Sequence, residues 1–262
     1  MKLKILGTGN GAALKCYNTC FAIENNNEYF LIDGGGGNEI LKQLEKSNID
    51  IHDIHNIFIS HTHTDHIMGI VWVVRRICEK IIFKKTYQGN LNIYGDKTTL
   101  DTFKTIISLL FPKINNIKDR ICYKEIVDME TLNIIGLDIK FFDILPKKEA
   151  QFGFIIGDKL AFCGDEPLNK KLIDLVKNKT WFMHEGFCLD KEEFERNAHA
   201  AGHSTVKETA EIAKLTNAKN LIILHTEDDH LPNRKQLFKS EAKKYFSGNI
   251  FVPDDLEEIN ID

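Results

Sequence analysis

The chain has 262 residues, of which 43% are hydrophobic and 27% are charged, and its formal net charge is −4. This composition is typical of a globular protein that is large enough to bury a substantial core. The weakly acidic balance excludes a global electrostatic attraction to nucleic acid or to anionic membranes.

The first half of the chain alternates short β-type runs with helical patterns. Runs rich in β-branched and aromatic residues, bounded by turn residues, predict strands over 3–6, 19–23, 29–32 and 57–59. Apolar spacing predicts helices after the glycines at 34–37, over 67–78 and over 98–111.

The second half follows the same style. Strands are predicted over 121–127, 137–142, 152–156, 160–162, 181–183, 221–224 and 249–252. Helices are predicted after Pro167, from Thr205 and over 234–246. Thr205 and Glu208 have the spacing of a capping box, which marks a helix start. Without an internal repeat or a linker, the pattern predicts one domain over 1–262, an α/β fold of two sheets covered by outer helices in four layers.

Six consecutive residues, His61-Thr62-His63-Thr64-Asp65-His66, follow the strand predicted at 57–59. In an extended segment alternate side chains share a face, so His61 and His63 are expected to point the same way. Asp65 and His66 lie where the chain turns into a helix and can converge from the other side. Imidazoles with a carboxylate suit zinc or a neighbouring first-row ion, and two adjacent ions are also compatible with this set. The alternative is a solvated polar loop.

The cysteines and the first residues of the chain indicate the cellular location of the protein. The six cysteines include no Cys-x-x-Cys pair, and the first residues lack the apolar region of a signal peptide. No run reaches the roughly 20 apolar residues that span a bilayer. These features predict reduced thiols, no membrane association and a cytoplasmic location. A disulfide between Cys16 and Cys20 remains an alternative.

The histidine cluster, with Gly69 after it, resembles the signature of the metallo-β-lactamase superfamily. Several further segments, in chain order, are similar to the ribonuclease Z branch of that superfamily: 6–9, Asn18, 30–34, 163–165, 185–187, 203–205 and His225. The resemblance implies the αββα sandwich of that superfamily, a metal-dependent hydrolase and, as a partner, a second copy of the chain in a homodimer.

The resemblance also implies roles for individual residues. His61 and His63 would hold a first ion, whereas Asp65, His66 and His225 would hold a second, with Asp165 bridging the two. His203 would protonate the leaving group and Glu185 would orient it. For Asp165 the plain alternative is a turn aspartate, for His225 a core histidine, and for His203 a loop histidine beside a helix start.

Asp33 and the four glycines after it end a predicted strand. Asp33 is expected to support the metal ligands from behind. The glycines could present N–H groups to a phosphate, although a sharp turn is the commoner use of such a run. His184 and His199 are interpreted as packing and surface residues.

The chain departs from the family pattern in its first-ion site. The family has a third histidine a few residues before a Gly-aromatic pair, but the matching segment 143–154 contains none. The first ion is therefore expected to be held weakly, or its place to be taken by water, by Asp143 or by a lysine amine. A histidine restored at Leu145 or Lys147 is expected to raise occupancy.

A second departure concerns the substrate. Ribonucleases of this branch carry a long arm that binds transfer RNA, whereas here Phe154 is followed almost at once by the predicted turn at 158–160. Without that arm, an RNA partner is possible but has no support from charge or sequence.

These observations predict a ribonuclease Z-like phosphodiesterase that uses a metal-bound hydroxide on a phosphodiester or another small ester. The expected cofactor is Zn²⁺, as one or two ions, with Mn²⁺ or iron as alternatives. Asp65 is expected to orient the attacking water as a second role. The alternatives are a thioester, lactone or lactam hydrolase of the same fold, and a non-catalytic metal-binding remnant.

Overall fold

Two mixed sheets, each of seven strands, form the centre of the protein in a computed structural model that describes residues 1–147 and 149–261. The first sheet has the order β14-β1-β2-β3-β4-β5-β6, with antiparallel pairing from β14 to β3 and parallel pairing from β3 to β6. Its strands are β1 Lys2–Gly7, β2 Cys20–Asn25, β3 Glu28–Ile32, β4 Ile54–Phe58, β5 Leu91–Gly95, β6 Ile121–Glu125 and β14 Glu258–Asn260.

The second sheet repeats this arrangement. Its order is β13-β12-β11-β10-β9-β8-β7, antiparallel from β7 to β10 and parallel from β10 to β13. Its strands are β7 Thr131–Ile134, β8 Leu137–Asp143, β9 Phe152–Ile156, β10 Leu160–Phe162, β11 Trp181–Glu185, β12 Asn220–Leu224 and β13 Asn249–Phe251.

Helices cover the outer face of each sheet. They are α1 Glu39–Lys46, α2 Thr64–Glu79, α3 Lys97–Leu110, α4 Ile173–Val176, α5 Glu193–Arg196, α6 Ala198–Ala201, α7 Val206–Leu215 and α8 Arg234–Ala242. Asp96 caps α3 by accepting the Thr98 and Thr99 backbone N–H groups, and Thr205 with Glu208 forms the predicted capping box of α7.

Three apolar clusters hold the four layers together. The cluster between the sheets is rich in phenylalanine, including Phe58, Phe141 and Phe154, whose rings contact one another. A second cluster joins the first sheet to α1, α2 and α3, and a third joins the second sheet to α7 and α8. The predicted α/β sandwich of four layers is therefore confirmed.

The predicted elements are largely present, with shifted ends. The helix predicted over 234–246 ends at Ala242, and the strand predicted over 121–127 ends at Glu125. The sequence patterns do not predict three of the strands, β5, β7 and β14. Each of them is short and is either polar or beside turn residues. Within the two described ranges, no helix combines the length and apolar character needed to traverse a bilayer.

Candidate metal centre

The polar residues singled out in the sequence lie at the carboxyl ends of strands. Asp33 follows β3, His61 follows β4, Asp165 follows β10, Glu185 ends β11 and His225 follows β12. In sheets with parallel strands these ends share one edge, which is where ligands usually bind. The two parallel halves of the sandwich therefore bring residues that are far apart in sequence to one place.

The histidine cluster is divided between a loop and a helix. His61 lies in the loop after β4, His63 is the N-cap of α2, and Asp65 and His66 are in the first turn of that helix. The helix approaches the glycine run closely, since a Cβ on Gly69 would lie 1.7 Å from the Gly34 oxygen. Gly69 is therefore required for the position of α2, and with it of both helical ligands.

Asp65, His66, Asp165 and His225 form a compact group, called the second-ion group below. The Asp165 Oδ2 atom lies 3.1 Å from His66 Nε2 and 3.6 Å from His225 Nε2. Asp65 Oδ2 lies 3.5 Å from His66 Nε2, and ligand atoms of Asp65, His66 and His225 lie within 4.8 Å of one another. The predicted convergence of these four residues is present.

Burial and charge act in opposite directions in this group. Burial opposes protonation of His66, but the carboxylates of Asp65 and Asp165 outweigh it and raise its pKa well above the usual value. Burial is the largest cause that lowers the pKa of His225 to about 3, and it outweighs the opposite effect of the Asp165 carboxylate. Burial disfavours the charged form of Asp165, yet the neighbouring imidazoles hold its pKa well below the usual range. The group therefore presents ionised carboxylates beside imidazoles, which is the donor set of a zinc site.

Asp33 supports the ligands from behind, as expected. Its Oδ2 accepts hydrogen bonds from His66 Nδ1 at 2.9 Å and from Ser60 Oγ at 2.6 Å. The Ser60 hydroxyl in turn contacts His61 Nδ1 at 2.9 Å. Both imidazoles are thereby turned so that Nε2 faces the centre. In His61 and His66, Nε2 is buried and has no hydrogen-bond partner among the described residues.

Two of these residues have a left-handed backbone. Asp33 has a φ of 56° and His225 a φ of 55°. Such conformations cost about 1–3 kcal/mol for a residue other than glycine and persist where the surrounding structure enforces them, most often at functional sites. In both cases the turn comes directly after a buried strand and directs the side chain to the shared edge.

The first-ion residues are less compact. His61 Nε2 lies 3.4 Å from Asp165 Oδ2, and His61, His66 and Asp165 form a second close group of ligand atoms. The His63 ring is beside that of His61, with centroids 4.5 Å apart, but its Nε2 lies 3.7 Å from the exposed Glu149 carboxylate. His63 thus lies next to the centre, and its side chain is 43% exposed.

Gln151 occupies the inner side of the first-ion site. Its side chain is buried, its Nε2 donates a short hydrogen bond to Asp165 Oδ1, and the same Nε2 lies 3.0 Å from His61 Nδ1. Its Oε1 is buried and has no hydrogen-bond partner among the described residues. Gln151, two residues before Gly153, is therefore a residue of segment 143–154 whose side chain contacts His61 and Asp165. The expectation for a histidine at Leu145 or Lys147 stays a prediction.

The side-chain substitutes expected for that histidine are Asp143 and a lysine amine. Asp143 Oδ1 accepts the Leu145 N–H and so caps its own turn, and Leu145 is exposed. The Lys147 N–H is bonded to Glu166. Lys148 is outside the described residues. Sequence reasoning missed Gln151 because a glutamine is not an expected zinc ligand and its contacts with His61 and Asp165 form only in the folded chain.

His203 and Glu185 form a pair beside the second-ion group. His203 Nδ1 lies 3.1 Å from Glu185 Oε2 and 2.9 Å from the Asp165 backbone oxygen. The Phe187 ring stacks on His203 with centroids 4.7 Å apart. Burial opposes protonation of His203, but Glu185 outweighs it and raises the pKa of His203. Burial raises the pKa of Glu185 to about 7.

Two other histidines are structural, as interpreted from the sequence. His184 is buried; its Nε2 accepts the Leu168 N–H and its Nδ1 donates to the Glu185 backbone oxygen. His199 is exposed and contacts the Glu193 and Glu208 carboxylates. Neither contributes to the metal centre.

The glycine run also has a structural use. Gly34 N–H donates to the His66 backbone oxygen, Gly36 N–H to Asn18 Oδ1 and Gly37 N–H to the Tyr17 hydroxyl. Because these groups are bonded within the chain, the sharp-turn interpretation is favoured over a phosphate cradle.

A third group of acids and histidine lies apart from the centre. It consists of Glu192, Glu227 and His230. The Arg196 guanidinium reaches Glu192 at 3.1 Å and Glu227 at 3.7 Å, so a cation of the chain itself balances these carboxylates. This group is an ion-pair network.

The turn between β9 and β10 is short. Ile156 pairs directly with Leu160, and the Lys159 N–H donates to the Ile156 oxygen. The predicted tight turn is therefore present, and no inserted arm exists between these strands.

A model of the family described as Anti-Pycsar protein Apyc1 matches residues 1–245. The chain belongs to this family. The Apyc1 match runs from β1 through α8 and includes every residue of the centre described above.

Relatives named Ribonuclease Z are similar over the whole chain. Ribonuclease Z of Picrophilus torridus is 25% identical, with 100% of this chain and 96% of that protein covered. The alignment runs over 315 positions against the 262 residues of this chain, so the relative contains additional segments.

Solved structures show the same fold. The metallo-β-lactamase fold protein YhfI from Bacillus subtilis has a TM-score of 0.81 at 18% identity, with 98% of each chain covered. The short form of human tRNase Z has a TM-score of 0.74 at 21% identity, with 100% of each chain covered. The predicted metallo-β-lactamase superfamily, its ribonuclease Z-like branch and the class of metal-dependent hydrolase are confirmed.

Proposed function

We propose that this chain is a metal-dependent phosphodiesterase that acts on small phosphodiesters. The observation that carries the proposal is the convergence of Asp65, His66, Asp165 and His225 at one sheet edge, next to the His203–Glu185 pair. Metal ligands and a proton donor within one site are what the cleavage of a phosphodiester requires.

The donor set fits a divalent ion, and we propose zinc, with Mn²⁺ or iron as alternatives. The fit rests on buried ring nitrogens of His61, His66 and His225 that have no hydrogen-bond partner among the described residues. Leaving such groups unpaired costs free energy that a bound cation would recover. When bound, the ion supplies a Lewis acid and an activated water.

The residues of the chain would act around this ion in separate ways. Asp65 has a pKa held below its usual range, since the His66 and His225 imidazoles outweigh the effect of burial. As a carboxylate it can accept a hydrogen bond from the attacking water, in addition to binding the ion.

His203 is the proposed proton donor. Its Nδ1 is held by Glu185 and by the Asp165 backbone oxygen, so Nε2 is the nitrogen left to face a substrate. The Glu185 carboxylate raises the pKa of His203, which favours the protonated ring. From this position it would give a proton to the leaving oxygen as the phosphorus–oxygen bond breaks.

A small substrate is favoured by the surroundings of the centre. A groove of about 630 Å³, lined by the 62–65 segment, Thr98, Thr102 and Glu149, lies beside it. That volume is in the range of small-ligand sites. Its described lining includes threonine hydroxyls but neither lysine nor arginine, and the β9–β10 turn carries no arm, so RNA is not the proposed substrate.

The test compares substrate classes on one zinc-loaded preparation. We expect hydrolysis of bis(p-nitrophenyl) phosphate and of a 3′,5′-cyclic mononucleotide, loss of both activities after chelation, and little cleavage of precursor transfer RNA. A higher kcat/KM for a thioester, lactone or lactam would overturn the phosphodiester assignment. A protein that retains metal but hydrolyses none of these esters would support the non-catalytic remnant instead.

Three further expectations belong to this proposal. We propose that residues 1–262 act as one domain, that the protein works in the cytoplasm, and that it forms a homodimer. Fluorescence microscopy of a tagged chain and light scattering on the purified protein would check the last two.

A further inference from the structure

Gln151 brings an amide next to His61 and Asp165, in a site whose family pattern includes a third imidazole. Gln151 is 2% exposed and lies between His61 and Asp165, on the second sheet side of the centre. Its backbone is fixed at the start of β9, where the Phe152 N–H donates to the Ser60 oxygen. The side chain therefore enters the centre from a rigid element.

The amide nitrogen is bonded to Asp165. Ser60 Oγ donates its proton to Asp33 and so accepts the single proton of the His61 Nδ1. His61 Nδ1 is then no acceptor for Gln151, and the N–H of Gln151 is directed to Asp165 Oδ1. Asp165 therefore accepts this bond with Oδ1, while its Oδ2 faces the imidazoles of His61, His66 and His225.

The amide oxygen remains as the one group that Gln151 can offer a cation. It is buried and has no hydrogen-bond partner among the described residues. A neutral amide oxygen is a harder and weaker donor for zinc than an imidazole, and it suits magnesium, calcium or manganese better.

We propose that Gln151 replaces the third first-ion histidine and makes the two ion positions unequal. The second-ion group has four side chains and retains its ion, whereas the first ion is held by His61, with His63 beside it, and the Gln151 amide oxygen, and it exchanges readily. The inference rests on the proposed function only for the presence of a metal centre.

The test measures metal without any substrate. After loading with zinc and dialysis against a chelating resin, we expect the unchanged chain to retain about one zinc ion by elemental analysis. Gln151→His should retain about two and should tighten zinc at the weaker site at least about tenfold, the lower end of what even an outer hydrogen-bond partner contributes.

Three variants keep the result interpretable. Gln151→Leu, which removes the amide, should still retain about one ion. Gln88→His adds a histidine at an exposed glutamine and should leave the metal content unchanged. Glu149→Gln, which alters the carboxylate near His63, should also leave it unchanged. Circular dichroism before and after chelation checks that each variant is folded.

Certain results would overturn the inference. Retention of two zinc ions by the unchanged chain would show that the amide does not weaken the first site. No gain in Gln151→His, with the fold intact, would show that Gln151 is not at the ion position. Loss of the retained ion in Glu149→Gln would show that this ion lies beside His63 and Glu149 rather than in the second-ion group, and the proposed inequality would be wrong. Absence of phosphodiester hydrolysis would count against the proposed function but would leave these outcomes unaffected.

Discussion

The two sheets contribute to the centre in different ways. The first sheet supplies one contiguous segment, from His61 to His66, with Asp33 behind it. The second sheet supplies single residues from separate strand ends, including Gln151, Asp165 and His225. A contiguous segment can form ligands without the rest of the fold being known, whereas isolated residues become ligands only once the strands are paired.

The largest expected effect comes from the second sheet. Asp165→Asn removes the carboxylate that faces His61, His66 and His225, so both ion positions lose a ligand. We expect loss of retained zinc and a fall in kcat/KM well beyond the roughly 10–100-fold typical of outer hydrogen-bond partners.

Elemental analysis and steady-state kinetics check this expectation, with thermal unfolding of the metal-free protein as the control for folding. Retention of the normal zinc content by Asp165→Asn would show that the first sheet alone binds the ions, and the contrast between the sheets would fail.

The next largest effect distinguishes proton donation from metal binding, both of which depend on residues of the second sheet. His203→Gln removes the proposed proton donor but no metal ligand. With an alkoxide leaving group we expect kcat to fall by about 10²–10⁴-fold, the usual contribution of general acid catalysis. With p-nitrophenolate, which leaves without a proton, the fall should be much smaller.

The zinc content of His203→Gln should match that of the unchanged chain. An equal loss on both leaving groups would contradict the assignment of His203 as the acid, because a residue that only positions substrate would not distinguish them.

The contrast between the sheets also explains what could be predicted from sequence. The His61–His66 segment follows an apolar strand at fixed spacing, so its ligands and the start of α2 could be predicted directly. By contrast, Asp165 and His225 can be predicted as metal ligands only from the order of the motifs along the chain. A Gly-Asp turn or a histidine at a strand end is common in proteins without a metal.

Gln151 could not be predicted, because its role depends on a contact across the sandwich. The Phe152 N–H donates to the Ser60 oxygen and links β9 to the loop after β4. Such a link between sheets leaves no local pattern. The same holds for β14, whose pairing with β1 joins the two ends of the chain.

A test on the first sheet concerns Asp33. Asp33→Asn weakens the hydrogen bond to His66 Nδ1 and the support of His61 through Ser60. We expect zinc affinity of the second-ion group to fall by about 10–100-fold, as for other outer hydrogen-bond partners of metal ligands. Competition with a zinc-binding dye measures this fall.

The control is Asp53→Asn, at an exposed residue directly before β4 and outside the centre, which should bind zinc normally. An unchanged zinc affinity in Asp33→Asn would mean that the backbone of α2 alone orients His66. The segment from His61 to His66 would then need no hydrogen-bond support from Asp33.

The smallest expected effect concerns His184, a buried histidine of the second sheet. It tests whether a histidine near the centre is also a part of it. Burial lowers the pKa of His184 to about 4, and its Nε2 must stay unprotonated to accept the Leu168 N–H. Because the folded pKa lies below the unfolded one, this stability is present above the unfolded pKa and is lost as pH falls through the folded pKa. We expect His184 to account for a loss of about 1 kcal/mol between pH 6.5 and 5.5, by proton linkage.

Urea unfolding of the metal-free protein at several pH values measures this loss as the difference in slope between the unchanged chain and His184→Gln. His199→Gln is the matched control with the opposite sign, because Glu208 raises the pKa of exposed His199 and its contribution disappears as pH rises. If His184→Gln left the acid slope unchanged while lowering retained zinc, His184 would belong to the metal centre. The second sheet would then supply one more ligand than the geometry assigns to it.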